Sequence, residues 1–273
     1  MKRRPLPWAA RCRTKHSTID PVKKAGKRAA AVAVALLFWG AVWHLLALRT
    51  DLELILPRPA AVLKRLWELA GTADFYRTLG VSFLRIGTGY LAGVSGGAVL
   101  ALGAWKIKPL RILLEPLMTV VRATPVASFI IVVILWLPRG IVPGFIAALL
   151  VLPVVWRNVL LGLDGLNREW DEMARSFNVR GWKKFSRVEI PQVLPALAAA
   201  AETGLGLAWK AGVAAEVLAL PKASIGKMIY DAKLYLETPD LYAWTLAIIL
   251  VSLILEALFS LLFRKAGVKH DPA

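Results

Sequence analysis

The chain is poor in the side chains that carry chemistry. It has one cysteine, Cys12, and three histidines, His16, His44 and His270, which lie far apart. A lone cysteine excludes an internal disulfide framework, and its place in a basic tail fits a reduced cytoplasmic thiol. No HExxH or CxxC pattern occurs, so nothing points to a resident metal, a cofactor or thiol redox chemistry. The GxxxxGK[ST] phosphate loop is missing too. The chain therefore cannot bind and hydrolyse a nucleotide through that motif, and any ATP-driven work needs another subunit. Acidic residues are few, 18 against 35 Lys and Arg, for a net charge of +17. Nucleic acid is a poor partner for this charge, because the basic residues sit in short stretches beside apolar runs and leave no basic domain.

Apolar residues are plentiful. They make up 58% of the 273 residues, and the mean hydropathy is +0.58. A soluble domain holds roughly 45–50% apolar residues. The excess falls in runs long enough to cross a bilayer, which takes about 20 residues as a helix. The sequence reads as an integral membrane protein in contact with lipid, with six spans. These run near Ala29–Leu48, Thr78–Trp105, Leu110–Leu137, Ile141–Leu161, Val193–Val213 and Ala243–Phe263. The charged start is long and lacks a small-x-small cleavage site, which favours an uncleaved first span over a signal peptide.

The second span is rich in glycine (Gly87, Gly89, Gly93, Gly96, Gly97 and Gly103), the composition that lets helices approach closely in lipid. Pro116 and Pro125 interrupt the third, and Pro138-Arg139-Gly140 marks a tight turn after it. Of the 35 Lys and Arg, 23 fall in the two tails, the 106–111 loop and the stretch from Arg157 to Arg187. The positive-inside rule then puts both termini and that stretch in the cytoplasm. Two segments on the other side exceed plain turns: Leu52–Gly71, with an amphipathic helix over Ala60–Leu69, and Pro221–Leu241, with Ser224 as a helix N-cap.

Ionisable residues inside spans are costly and mark function by default. Arg122, Lys210 and Glu216 are the candidates for a translocation pathway, with Arg85, Glu202 and Glu256 as weaker ones. Lys210 and Glu216 are separated by about 240° around an ideal helix and would not pair with each other. They would line a polar pathway or pair with neighbouring helices. Arg85 and Glu256 also suit a bland reading, side chains near span ends that reach for the interface.

A polar island at Trp170–Pro191 separates the fourth and fifth spans and reads as two short amphipathic helices. Trp170, Met173, Ala174 and Phe177 share one face of the first, at helical spacing. In the second, Arg180, Lys183, Lys184 and Arg187 form a charged face, with Trp182, Phe185 and Val188 away from it. The mixed charge of the first helix argues against a simple membrane-surface helix, which favours lysine and arginine. Asn178 suits a left-handed break between the two helices. Ile190-Pro191 suits a stop after the second.

Residues 172–191, EMARSFNVRGWKKFSRVEIP, resemble the cytoplasmic signature of permease subunits of binding-protein-dependent ABC importers. The family pattern is Glu-Ala-Ala, three residues, Gly, nine residues, Ile-x-Leu-Pro. Glu172 matches the Glu and Ala174 the second Ala, while Met173 replaces the first. Asn178 stands at the Gly position, and Val188, Ile190 and Pro191 occupy the closing positions. Leu56-Pro57, Arg85, Arg122-Ala-Thr-Pro125, Gly206 to Glu216 and Ser224-Ile-Gly226 are similar to the nitrate/sulfonate/taurine-type subclass.

The resemblance implies an all-α fold of six transmembrane helices with a cytoplasmic coupling helix, the type I ABC importer permease fold. It implies a basic cytoplasmic tail over residues 1–28, a permease domain over 29–263 and a C-terminal tail over 264–273. Residues 164–191 would couple to the ATPase through Glu172, Ala174, Phe177, Asn178, Gly181, Val188, Ile190 and Pro191. It further implies cytoplasmic ABC ATPase subunits, an extracytoplasmic solute-binding protein, a second permease copy in a homodimer and a bacterial plasma-membrane location. The chain itself would not be an enzyme. The implied solute is an aliphatic sulfonate, taurine or a nitrate-like small solute. Two rivals fit less well. A membrane-embedded enzyme needs clustered His, Asp and Glu near one membrane face, and a secondary transporter usually shows two related halves.

Overall fold

The computed structural model describes residues 21–50 and 53–265. Of the expected tails, residues 1–20 and 266–273 lie outside the described residues, while Pro21–Arg28 already belongs to the first helix. Every regular element among the described residues is a helix. The described residues up to Pro59 belong to one compact unit and those from Ala60 onward to a second. The first unit holds α1 (Pro21–Thr50), whose Leu36, Leu37, Phe38 and Trp39 are all exposed. A helix that is apolar all round suits lipid rather than water.

The second unit contains α2 (Pro59–Ala70), α3 (Ala73–Lys106), α4 (Lys108–Ala123), α5 (Val126–Ile134) and α6 (Val142–Asp164). The short α7 (Arg168–Ser176) and α8 (Gly181–Lys184) follow, then α9 (Ile190–Ala219), α10 (Ile225–Leu234) and α11 (Thr238–Lys265). Four helices among the described residues are long and apolar enough to cross a membrane: Ala30–Thr50 of α1, α3, α6 and Thr238–Leu261 of α11. The third expected span is not one rod. Pro116 is accommodated inside α4, but Pro125 ends the helix and α5 leaves at 101° to α4. Proline lacks the N–H that would continue the ladder and pushes the residue before it out of the helical region, so Thr124 is extended. The fifth expected span is α9, 30 residues long. It falls short of the same apolarity because it carries Glu202, Lys210 and Glu216.

The core lies where α3, α6 and α9 meet, around Ile86, Tyr90, Val151, Val155, Trp156, Ala208 and Trp209. The glycines of α3 explain the closeness of this packing. Gly89, Gly93 and Gly97 recur every fourth residue and lie on its buried face. A Cβ on Gly89 would stand 2.0 Å from the carbonyl oxygen of Gly144, and one on Gly97 2.7 Å from that of Leu152. Backbone therefore meets backbone, the small-xxx-small packing that suits helices in lipid. The string Gly93-Val94-Ser95-Gly96-Gly97 has the spacing of a GxSxG nucleophile elbow but lies within this straight helix, with the Ser95 hydroxyl donating to Leu91 O at 2.8 Å. It is a packing stripe, since an elbow needs a strand-to-helix turn.

Gly89→Val is expected to destabilise the protein by about 3 kcal/mol through overpacking. Gly87→Ala should change little, because no atom lies within 4 Å of its Cβ position. Thermal unfolding of the two variants in detergent checks the contrast.

Polar contacts then fix the helices laterally. The Tyr90 hydroxyl donates to Ala201 O at 3.0 Å, and the Trp209 indole donates to Ile248 O at 3.2 Å. At one end, Arg111 makes two hydrogen bonds to Asp164, at 3.2 and 2.9 Å. At another position, Arg65 of α2 pairs through two nitrogens with Asp240 of α11, which raises the guanidinium further above its ordinary value.

Candidate functional site

The segment between α6 and α9 is ordered by its own polar side chains. Asn167 caps α7, its side-chain oxygen accepting the Glu169 N–H at 2.8 Å. This is the ordinary service of an asparagine N-cap, which satisfies an otherwise orphaned helix donor. The Asn167 N–H in turn donates to Gln192 Oε1 at 3.1 Å, and the Gln192 amide donates to Val188 O at 2.9 Å. Gln192 thus clasps the two ends of the segment together. A cleft of about 280 Å³ beside the clasp is lined by Trp105, Asp164, Arg168, Lys184 and Glu189, among others.

Asn178 adopts φ +54°, the left-handed conformation that its position suggested. Its N–H donates to Arg175 O at 2.9 Å, and the Val179 N–H donates to Ala174 O at 2.8 Å. These two bonds close α7 as a Schellman motif. Gly181 also has a positive φ, +58°, as it opens α8. Two left-handed positions therefore fall within four residues.

The expected stop at Ile190-Pro191 does not occur. Residues Phe185–Glu189 form a π-helical turn, and Lys184, Glu189 and Ile190 all keep right-handed helical angles. The Ile190 N–H donates back to Phe185 O, one residue further than in an α-helix. This wider turn accommodates Pro191 without breaking the helix, so α8 runs into α9 as one rod. π turns of this kind often lie at functional sites.

Of the eight expected coupling residues, Glu172, Phe177, Asn178 and Gly181 lie exposed along α7 and the turn, and Ala174 is buried beneath them. Val188, Ile190 and Pro191 stand apart, on the helix entering α9. The aromatic side chains form an exposed crest: Trp170 is 52% exposed, Phe177 77% and Trp182 75%, with Met173 also exposed. Phe185 points inward, with the Lys106 ammonium 5.0 Å from its ring centre.

The expected pathway residues are not brought together. Arg122 at the end of α4 and Lys210 on α9 are exposed. Glu216 has no exposed surface. Its carboxylate accepts from Arg85 at 2.9 Å, from the Ser82 hydroxyl at 2.8 Å and from the Gly226 N–H at 3.2 Å. Arg85 therefore does not reach for an interface; it is the partner of Glu216. The reading of the sequence missed Ser82, although Ser82 and Arg85 are spaced three apart and so share a face of α3. Among the described residues, no group of three or more His, Cys, Asp and Glu side chains converges into a metal site.

Helices alone among the described residues, several of them apolar spans, with a clasped polar segment between two of the longer ones, define a multi-pass membrane protein. Residues 93–267 match the family described as "Binding-protein-dependent transport system inner membrane component", and the chain belongs to this family. Its members are permeases of ABC transporters, membrane subunits that are not themselves catalytic.

A relative in Escherichia coli (strain K12), SsuC, named for aliphatic sulfonates transport, is 30% identical over 228 residues, 80% of this chain and 83% of its own. The taurine transport system permease TauC of the same strain is 25% identical over 245 residues, 88% of each chain. The riboflavin transport system permease RibX of Chloroflexus aurantiacus is 28% identical over 213 residues, 77% of this chain and 78% of its own. Among solved structures, a bacterial alginate ABC transporter in complex with an alginate-bound periplasmic protein shares the fold. Its matched chain has a TM-score of 0.61 at 16% identity, covering 91% of this chain and 99% of that one.

Proposed function

We propose that the chain is the transmembrane subunit of an ATP-driven importer for an aliphatic sulfonate, taurine or a nitrate-like small solute. Residues 164–191 seat a cytoplasmic ATPase, which performs the hydrolysis, and an extracytoplasmic binding protein delivers the solute. The observation that carries this reading is the exposed crest of Trp170, Met173, Phe177 and Trp182. It stands on a segment clasped at its base and joined without a break to α9. Large apolar anchors inside a charged rim are the anatomy of a protein interface.

The basic residues around this segment and in both tails support a cytoplasmic location for all three. A second copy of the chain would complete the pathway, and the exposed Val132, Trp136 and Phe145 offer an apolar face for it. Arg122 and Lys210 remain as the exposed intramembrane cations of the pathway. Glu216, the acid that would balance them, is engaged by Arg85. That arrangement favours a solute with an anionic group, as do the relatives named for sulfonates and taurine.

The test is uptake into proteoliposomes holding this chain, its partner ATPase and its binding protein. ATP-dependent accumulation of a labelled alkanesulfonate, taurine or nitrate is expected. Lys210→Glu should lower it about tenfold or more, the loss of a favourable charge contact being worth about 1.4 kcal/mol or more. Uptake restricted to solutes that carry no sulfonate or nitrate group would overturn the substrate assignment, and uptake without the ATPase would overturn the importer.

A further inference from the structure

We infer that Ser82, Arg85 and Glu216 form a positioning unit that bolts α10 to the end of α9, so that a load on α10 reaches the docking segment through one continuous rod. This rests on the importer reading, because it needs an ATPase at one end of α9 and a binding protein at the other.

The first turn of α10 is held partly by other helices. The Ile225 N–H donates to the Ser82 hydroxyl of α3 at 3.0 Å, and the Gly226 N–H donates to the Glu216 carboxylate of α9 at 3.2 Å. The Lys227 N–H donates to the Ser224 hydroxyl at 3.2 Å, and the Met228 N–H to Ser224 O at 3.2 Å. Three donors that a helix start leaves without an intrahelical partner are thereby satisfied, two of them by other helices, and the Met228 bond opens the regular ladder. Arg85 completes the unit, donating to Glu216 and, at 3.3 Å, to Lys222 O in the connecting turn.

Steric contact and strain reinforce these bonds. A Cβ on Gly226 would lie 2.3 Å from Val217 N, so α10 rests on the backbone of α9. Leu220 and Ala223 in the same turn hold φ +52° and +49°, left-handed values that non-glycine residues keep only where their surroundings enforce them. α10 cannot slide against α3 and α9 without giving up this whole set. From Glu216, α9 runs back unbroken to Ile190, roughly 40 Å at 1.5 Å per residue, and continues through the π turn into α8. The unit and α8, the second helix of the docking segment, are the two ends of one continuous helix.

The experiment uses the complete transporter in proteoliposomes and measures basal ATPase activity and its stimulation by liganded binding protein. The variants are Arg85→Gln, Ser82→Ala and, as the conservative control, Arg85→Lys. In the first two, basal activity is expected within about twofold of wild type, and maximal stimulation should fall about fivefold or more, the scale of a coupling free energy. The binding-protein concentration for half-stimulation should stay the same, because the docking surface is untouched. Arg85→Lys should recover part of the stimulation. Full stimulation in Ser82→Ala and Arg85→Gln would overturn the inference. So would a parallel fall of basal and stimulated activity, which marks a structural role only. Ser82→Ala alone decides the matter if Arg85→Gln does not assemble. A wild-type complex that its binding protein does not stimulate would refute the importer reading itself, and the relay with it.

Discussion

Replacing Gly181 with proline is expected to abolish most ATP-dependent uptake while leaving the amount of protein in the membrane unchanged. Gly181 sits at φ +58°, whereas a proline ring fixes φ near −65°. The substitution must therefore turn α8 away from α7 and scatter the crest of Phe177 and Trp182. It should not disturb the spans, because no atom lies within 4 Å of the Gly181 Cβ position. Loss of one interface anchor costs about 2 kcal/mol or more, which is about thirtyfold in affinity for the ATPase. Gly181→Ala places a methyl group in open space and costs only the left-handed penalty of about 1–2 kcal/mol, so it should be the milder change. Co-purification of the ATPase from membranes, with uptake measured alongside, separates the two variants. Equal uptake in Gly181→Pro and wild type would contradict the account.

Glu216→Ala is the second large effect, and it falls on stability. Removing one partner of a buried ion pair leaves the other uncompensated and costs about 3–5 kcal/mol. Here the partner left behind is Arg85, whose side chain is only 17% exposed. A guanidinium cannot shed its proton, whereas a carboxylic acid can neutralise itself by taking one up. Arg85→Gln, which leaves the acid, should therefore be tolerated better than Glu216→Ala, which leaves the base. Yield of monodisperse protein in detergent and its unfolding temperature measure the ranking. Glu216→Ala as stable as Arg85→Gln would contradict the asymmetry.

The long helices were legible in the sequence because apolar runs and glycine spacing are local signals. The amphipathic helix α2 was found at Ala60–Leu69 and occupies Pro59–Ala70. The Ser224 cap was found because a serine before a helical run acts on its own next turn. What failed is instructive. Pro191 reads as a stop because proline usually ends a helix, but the π turn before it supplies the room that removes the conflict. Pro125 reads as an interruption of the third span, and the structure gives that interruption a bend of 101°, which no local signal foretells.

The Arg85–Glu216 pair joins residues 131 positions apart, which no local pattern encodes. Only the shared face of Ser82 and Arg85 hinted at it. The clasp by Gln192 was hidden for the same reason, since its partner Asn167 lies 25 residues away. Signals carried within one or two turns were read, and those that depend on how helices meet were not.

The central claim is that the crest at 164–191 is the seat of the ATPase. The most direct measurement places a photo-crosslinking amino acid at Phe177 and, as a control, at Trp136, which is 84% exposed on the broken span. Membranes containing the partner ATPase are then irradiated. A covalent adduct of chain and ATPase from position 177, and none from position 136, is the expected result. No adduct from position 177 in a complex that still transports would contradict it.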